Sequence, residues 1–386
     1  MTGISGSKST GNHFLAKVHN GVESRDFIEL CKKGDYKKSV IHLQNSIMDH
    51  LNKNGISTSS PQFPIEKGDF PTPAAIRSLP VASSDHSPCE LVVRLLGWVD
   101  GTPMSSAKIL PLEALADAGR FLGRMSLKLS ELDTDELAAA KRFHQWDGKH
   151  TMGLKDYVGY IEDPRRKAMV ESVVAAFQRD VLDSKICDKL EKGIIMGDFN
   201  DANIIVDSNF FVCGVIDFGD SVESWRILDL TVAMAYSMLS VYAKNGRSIS
   251  AAAAFLRGYN DVCPITEDEK KLLILLIACR LSCSVTLGAY SYQQNPENKY
   301  LLLHAMPAWN ALDLIWGTDE TKRAEIAKVL NKMFDLACKP REDANADVIN
   351  CNDLSFPDPV LGDPMGEMRA AFKDDPPRPN KRSKVP

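Results

Sequence analysis
The sequence predicts an α+β protein of two unequal lobes, a small mixed α/β lobe followed by a large, mainly helical one. Three observations predict it. Strand-like apolar runs ("FLAKVH", "CELVVRLLGWVDG") fall before residue 102. From Leu112 onward, apolar residues recur at spacings of three and four, the period of a helix with one buried face. That helical half is interrupted by strand-like runs only in "IIMGDFNDANIIVDSNFFVCGVIDFGD", residues 194–220, where two acidic turns alternate with β-branched segments.

Taken in order, residues 14–19 read as a strand, with Gly21 as a turn. Residues 25–53 read as helical, with a break at Gly34-Asp35. "GISTSSPQFPIEKGDFPTP" is a Pro/Gly/Ser-rich connector, and 89–101 is a strand running into a Gly-bounded linker. The lobe boundary is placed there, giving lobes of 1–99 and 100–338. "PLEALADAGRFLGRMSLKLSEL" is an amphipathic helix, and Pro111 suits its first turn. Further helices are expected at 165–190, 226–245, 248–259, 267–292, 298–315 and 320–337. Within 194–220, the strands are Ile194–Ile195, Ile204–Val206 and Val212–Ile216. Residues 339–386 hold eight of the twenty prolines without apolar periodicity, and are expected to be a disordered tail. Its basic end, "PNKRSKVP", reads as solvated charge before it reads as a nuclear-import patch.

Composition excludes several classes. With 386 residues, 44% apolar, 25% charged and a net charge of −5, the chain lacks the basic balance of a nucleic-acid binder. The longest apolar runs, such as Leu272–Cys279, fall short of the ~20 residues that cross a bilayer. The N-terminus has no apolar core of a secretory signal. Nine scattered cysteines without a CxxC pair fit reduced thiols, so a cytoplasmic location is expected. Cys279 and Cys283 have no His or Cys partners nearby in sequence and read as core packing rather than as metal ligands.

The acidic turns carry the chemistry. Asp198 and Asn203 flank one short loop, and Asp217 ends the next strand before Phe218-Gly219. Asp-x4-Asn followed by Asp-Phe-Gly is the arrangement used for phosphoryl transfer. The first Asp takes the proton of an attacking hydroxyl; the Asn and second Asp offer the oxygen ligands that Mg²⁺ prefers. Asp201 and Asp220, taken alone, read as turn residues.

"MGDFNDANIIV" with "GVIDFGD" resembles the "HGDxxxxN…IDFGD" signature of the aminoglycoside phosphotransferase-like kinases, whose fold is protein-kinase-like. "VRLLGWVDGTPM", "FLGRMSLKL" and "AYSYQQNPENK" are similar to those members of the superfamily that act on 5-hydroxy-L-lysine. The resemblance runs from about Phe14 to about Trp316. It implies transfer of the γ-phosphoryl group of GTP, with ATP as the other possible donor, to the hydroxyl of 5-hydroxy-L-lysine. It implies Asp198 as the base, Asn203 and Asp217 as Mg²⁺ ligands, and Lys17 of "FLAKVHNG" on the nucleotide phosphates. Leu95–Trp98, with Leu96 and Trp98 at its heart, would lie against the guanine, and Glu29 would pair with Lys17 from a helix. No nucleic-acid or membrane partner is implied.

The sequence departs from the family pattern in three places. Only thirteen residues precede Phe14, so the phosphate-covering strands and loop look missing from the first lobe. The helix text is split, with "DFIEL" at 26–30 and "LQN" at 43–45; either Glu29 supplies the acid or His42 occupies its place. Met196 stands where the signature has histidine, which fills the volume but donates no hydrogen bond. A looser loop and lower activity are expected from it. On the acceptor side, Arg280, Glu297, Tyr290 and Tyr292 are candidates, each more ordinary as a structural residue. Asp229 is expected to tether its helix. A kinase for another amino alcohol or aminoglycoside, and a catalytically impaired kinase-like binding protein, remain as alternatives.

Overall fold
The ten residues "PCELVVRLLG" are the centre of the small lobe because an uninterrupted β-favouring run can pair on both edges. The computed structural model describes residues 13–14, 26–31, 38–61, 77–82, 88–132, 135–297, 305–342, 344 and 346–359. In chain order the small lobe holds β1 (His13–Phe14), β2 (Asp26–Cys31), α1 (Lys38–Lys53), β3 (Arg77–Ala82) and β4 (Pro88–Gly97). The four strands form one antiparallel sheet in the order β1-β2-β4-β3.

One expectation is corrected here. Residues 26–31 are a strand, not the start of a helix, and Glu29 lies on the sheet in register with Arg94. A run as short as "DFIELC" fits either period, and pairing along all six residues with β4 decides for the strand. The helix of this lobe is therefore the second piece of the split text, α1, which carries His42, Gln44 and Asn45. Arg94, buried on β4, donates to Asn45 Oδ1 at 2.7 Å and Gln44 Oε1 at 2.9 Å, clamping helix to sheet. Lys17 lies outside the described residues.

The expected connector is also more than a linker. Residues 56–61 run beside two strands at once: Pro61 bridges Leu96, and Thr58 bridges Val215. Gly97 N donates to Ser60 O at 2.7 Å and Val215 N to Ser57 O at 3.0 Å. This segment stitches the end of β4 to the strand that leads into Asp217.

In the large lobe follow β5 (Thr102–Pro103), α2 (Leu112–Leu129), α3 (Pro164–Phe177), β6 (Lys192–Ile195), β7 (Ile204–Val206), β8 (Val212–Val215) and β9 (Val222–Trp225). Helices α4 (Ile227–Ser237), α5 (Ser248–Val262), α6 (Glu267–Gln294), α7 (Ala305–Ile315) and α8 (Glu320–Ala337) complete it. The helix expected over 165–190 is α-helical to Phe177, continues as a π-helical segment over Gln178–Asp183, and after the left-handed Lys185 ends in a 3-10 turn, Ile186–Lys189. β5-β7-β8 and β6-β9 form two small antiparallel sheets that hold the acidic turns. α2 crosses α5 at glycines: a Cβ on Gly258 would sit 1.7 Å from Ala116 O, so the backbones touch.

α6 begins with a capping box, Thr266 and Glu269 exchanging bonds. By length and composition it could cross a membrane, which the shorter runs judged from sequence did not suggest. Here 78% of its apolar window is buried within the protein, against α3, α4 and α7.

The tail is ordered further than its composition predicts. Ile349, Cys351 and Leu354 are buried, and the fully buried Arg257 of α5 grips both carboxylate oxygens of Asp353 at 2.5 and 2.7 Å. Asp358 caps α5 by accepting from Ser248 N and Ile249 N at 2.8 and 2.9 Å. These anchors are single residues spaced along the segment, so they leave no periodic signal. Residues 360–386, with the basic end, lie outside the described residues.

Candidate active site
β6 delivers the chain to Met196-Gly197, where it must turn sharply. Gly197 has φ +83°, and a Cβ there would sit 2.7 Å from the backbone oxygen of Asp220. The next residues wind into a tight loop, with Asn200 N bonded to Asp198 O at 2.9 Å and Asn200 Oδ1 accepting from Ala202 N at 2.8 Å. Phe199 points the other way, fully buried between Phe121 and Phe255 at centroid distances of 6.4 and 6.1 Å. That anchor leaves Asp198 facing the cleft.

The Asp198 carboxylate is held from three sides. Oδ2 accepts from Asn200 Nδ2 at 2.8 Å and Asn203 Nδ2 at 3.1 Å, and Oδ1 from Arg280 Nη2 at 2.8 Å. Asn203 Nδ2 also donates to Asp198 O at 3.0 Å. Burial raises the Asp198 pKa; Arg280 and the two asparagines pull against it, while Asp217 adds to the rise.

Asp217, two residues past the end of β8, has φ +65°, a backbone setting that a non-glycine residue tolerates at a cost of about 1–3 kcal/mol. The turn is fixed on both sides: Gly219 N donates to Asp217 Oδ1 at 3.1 Å, and Ile216 N to Asn203 O at 3.0 Å. The second bond ties the two acidic turns together. Arg142 Nη2 donates to the backbone oxygens of Gly219 and Ser221 at 2.9 and 3.1 Å, and Gln44 of α1 reaches Gly219 O at 3.4 Å.

The structure thus brings Asp198, Asn203 and Asp217 together, and adds Asp220. Burial, reinforced by Asp198 and Asp217, pushes the Asp220 carboxyl up to about 7. His144 Nε2 lies 3.4 Å from Asp220 Oδ1, its own pKa lowered to about 4 by burial and by Arg142. Asp220 is therefore part of the site and not a bare turn residue. Arg142 and His144 had no signal in the sequence, since each acts through a contact with a turn distant from it, whereas Asn200 stands within the crowded Asp198–Asn203 loop itself.

Asp229 does more than tether its own helix. From α4 it accepts from Met196 N through Oδ2 and from Gly197 N through Oδ1, both at 2.8 Å. Met196 is fully buried, and its backbone amide is held by Asp229 whatever its side chain. Leu96 is buried at the end of β4, and Trp98, 39% exposed, sits at the lobe boundary. Tyr290 packs edge-on against Tyr157 and Tyr160 at 5.0 and 4.9 Å, while Glu297 is exposed beyond the end of α6.

The side chains that could hold a divalent ion are those of Asp217 and Asn203. The amide nitrogen of Asn203 is committed to Asp198, which leaves its oxygen as the other atom of that amide. A carboxylate and an amide oxygen match Mg²⁺, which takes one or two protein carboxylates and fills the rest with phosphate and water. No His, Cys, Asp or Glu cluster of three or more at metal-holding geometry occurs among the described residues, so a zinc-type cage is not built there.

Known proteins resemble this chain in sequence and in fold. Residues 20–272 match the phosphotransferase enzyme family. The hydroxylysine kinase of Xenopus laevis is 27% identical over 316 residues, covering 78% of this chain and 77% of that protein. The hydroxylysine kinase of Mus musculus is 28% identical over 300 residues, with 74% and 75% covered. Among solved structures, a microcompartment-associated aminopropanol kinase superposes with TM-score 0.60 at 15% identity, over 85% of this chain and 92% of that one. The amicoumacin kinase hAmiN gives TM-score 0.58 at 14% identity, over 91% of both chains. These place the fold among the kinase-like two-lobed proteins. The chain belongs to the phosphotransferase enzyme family, as a small-molecule kinase that takes its phosphoryl group from a nucleotide and passes it to a hydroxyl acceptor.

Proposed function
We propose that the protein transfers the γ-phosphoryl group of GTP to the hydroxyl of 5-hydroxy-L-lysine, in the cytoplasm, giving 5-phosphooxy-L-lysine and GDP. The observation that carries the reaction is the bonded unit of Asp198 and Asn203, tied to Asp217 through Ile216 N and Asn203 O. The acceptor rests on the identity with hydroxylysine kinases across three quarters of the chain.

In this reading Asp198 accepts the proton of the acceptor hydroxyl as its oxygen bonds to the γ-phosphorus and the bridging oxygen leaves with GDP. Asn203 and Asp217 hold Mg²⁺, which when bound neutralises charge on the phosphate oxygens. Lys17 contacts the phosphates, Leu96 and Trp98 flank the guanine, and Glu29 is assigned to the nucleotide side. Because Glu29 is on β2 and α1 carries His42, His42 takes the place of the helix glutamate in this reading and the ion pair to Lys17 is lost.

The test is product formation with Mg²⁺ and either GTP or ATP, across 5-hydroxylysine, choline and an aminoglycoside, with Asp198→Ala as control. Product with hydroxylysine alone, stronger with GTP and lost in the variant, supports the proposal. Transfer to choline or the aminoglycoside instead moves the chain to another acceptor. Nucleotide binding with no product from any acceptor overturns the kinase roles assigned to these residues.

A further inference from the structure
Arg280 projects from α6 onto Asp198 and is spent there. Its side chain is 5% exposed, that of Asp198 25%, and Nη2 stands 2.8 Å from Oδ1. The guanidinium lies against the rings of Trp146 and Tyr236, at 5.2 and 5.3 Å from their centroids. Its remaining polar contacts are long, 3.3 Å from Nη1 to Trp146 O and 3.4 Å from Nη2 to Tyr236 OH. Nε is buried with no hydrogen-bond partner. Five donors in a rigid fork thus make one short bond, and it goes to the carboxylate that receives the acceptor's proton.

That bond works against catalysis as it stands. Oδ2 of Asp198 accepts from both Asn200 and Asn203, and Oδ1 spends one of its two acceptor positions on a cation, which lowers the basicity of the oxygen left for an acceptor. An anionic group on the acceptor changes the balance. A carboxylate suits the planar fork better than one edge of Asp198 does, and it draws positive charge away from Oδ1.

We infer that Arg280 is the receptor for a carboxylate on the acceptor, and through it the residue that selects hydroxy amino acids over plain amino alcohols. The inference rests on Asp198 being the base, as proposed above. Once the carboxylate shares the fork, Arg280 draws less on Oδ1, which then takes the proton of the acceptor hydroxyl more readily. A neutral acceptor leaves the full guanidinium charge on Oδ1 and the base weak. A chain of hydroxyl, Asp198, Arg280 and carboxylate, linked by ordinary hydrogen bonds, needs the hydroxyl and carboxylate about 5–8 Å apart. 5-Hydroxylysine, with four bonds between its carboxyl carbon and the hydroxyl-bearing carbon, meets that spacing.

The test compares 5-hydroxylysine with its carboxamide, identical except for the missing charge, using the full chain with Mg²⁺ and GTP. The native protein is expected to favour the acid by about 100-fold in kcat/KM. In Arg280→Gln the preference should collapse to within a few-fold, and Arg280→Lys should recover part of it. Melting curves and nucleotide binding verify that the variants fold; if they do not, the acid-to-amide ratio of the native protein decides. Equal turnover of acid and amide, or an acid preference that survives in Arg280→Gln, overturns the inference. So does transfer to no carboxylate-bearing acceptor at all. If hydroxylysine fails while another hydroxy amino acid is phosphorylated with the same preference, the acceptor proposed above falls and the role of Arg280 stands.

Discussion
Asp229 holds Met196 by its backbone amide, 2.8 Å from Oδ2, across 33 residues of sequence. The other oxygen of the same carboxylate holds Gly197, so one buried side chain fixes both residues before Asp198. Asparagine has one acceptor oxygen and would turn its NH₂ toward the second amide. Asp229→Asn is therefore expected to cost about 1–3 kcal/mol, the penalty of a buried unpaired donor, and to lower kcat by displacing Asp198. Chemical denaturation and steady-state kinetics check both; an unchanged variant would show that Asp229 does not set the position of Asp198.

Asp198 and Asn203 should separate in their kinetics. Asp198→Asn keeps the shape of the loop but removes the proton acceptor, so kcat is expected to fall about 10²–10⁴-fold with nucleotide affinity nearly unchanged. Asn203→Ala removes the amide oxygen toward the metal and two bonds to Asp198. It should raise the Mg²⁺ concentration for half-maximal rate as well as lowering kcat. A titration of rate against Mg²⁺ distinguishes the two variants.

Burial gives this site a characteristic dependence of stability on pH. Asp220, raised to about 7, and Asp229, raised to about 6, stay protonated in the fold where the unfolded chain has already lost those protons. The unfolded state then binds fewer protons, so stability falls as pH rises through that window. His144, lowered to about 4 from 6.5, does the reverse: unfolding takes up a proton, and stability rises with pH between those values. Asp220→Asn removes one falling contribution. Its Tm should fall less steeply with rising pH than the native value between about pH 4 and 7. Parallel Tm profiles in the two proteins would contradict the assignment.

Asp353 anchors the C-terminal segment on Arg257, which is fully buried. Asp353→Ala leaves that guanidinium with backbone partners alone in this region, Asn350 O at 2.8 Å and Leu336 O at 3.3 Å. A loss of about 2 kcal/mol is expected, together with faster proteolysis within residues 346–359. Urea melts and timed digestion measure it, and cleavage at the native rate would show that the segment is held elsewhere.

The sequence by itself determined the two-lobed class, the long helices and the strands at 194–220, and with them the turns on which Asp198, Asn203 and Asp217 stand. These follow from periodicity and turn chemistry, which are local: a face every 3.6 residues, an alternation of two, a glycine where the chain must turn. It did not determine whether residues 26–31 coil or extend, because six residues satisfy both periods until β4 supplies partners. It gave no sign that Ser57–Pro61 would join β4 to β8, nor that Asp353 and Asp358 would pin the tail. The meeting of Arg280 with Asp198, 82 residues apart, belongs to the same class. Such contacts depend on how α6 and β6 pack in three dimensions, and a buried charge finds its partner only once burial has removed water as the alternative.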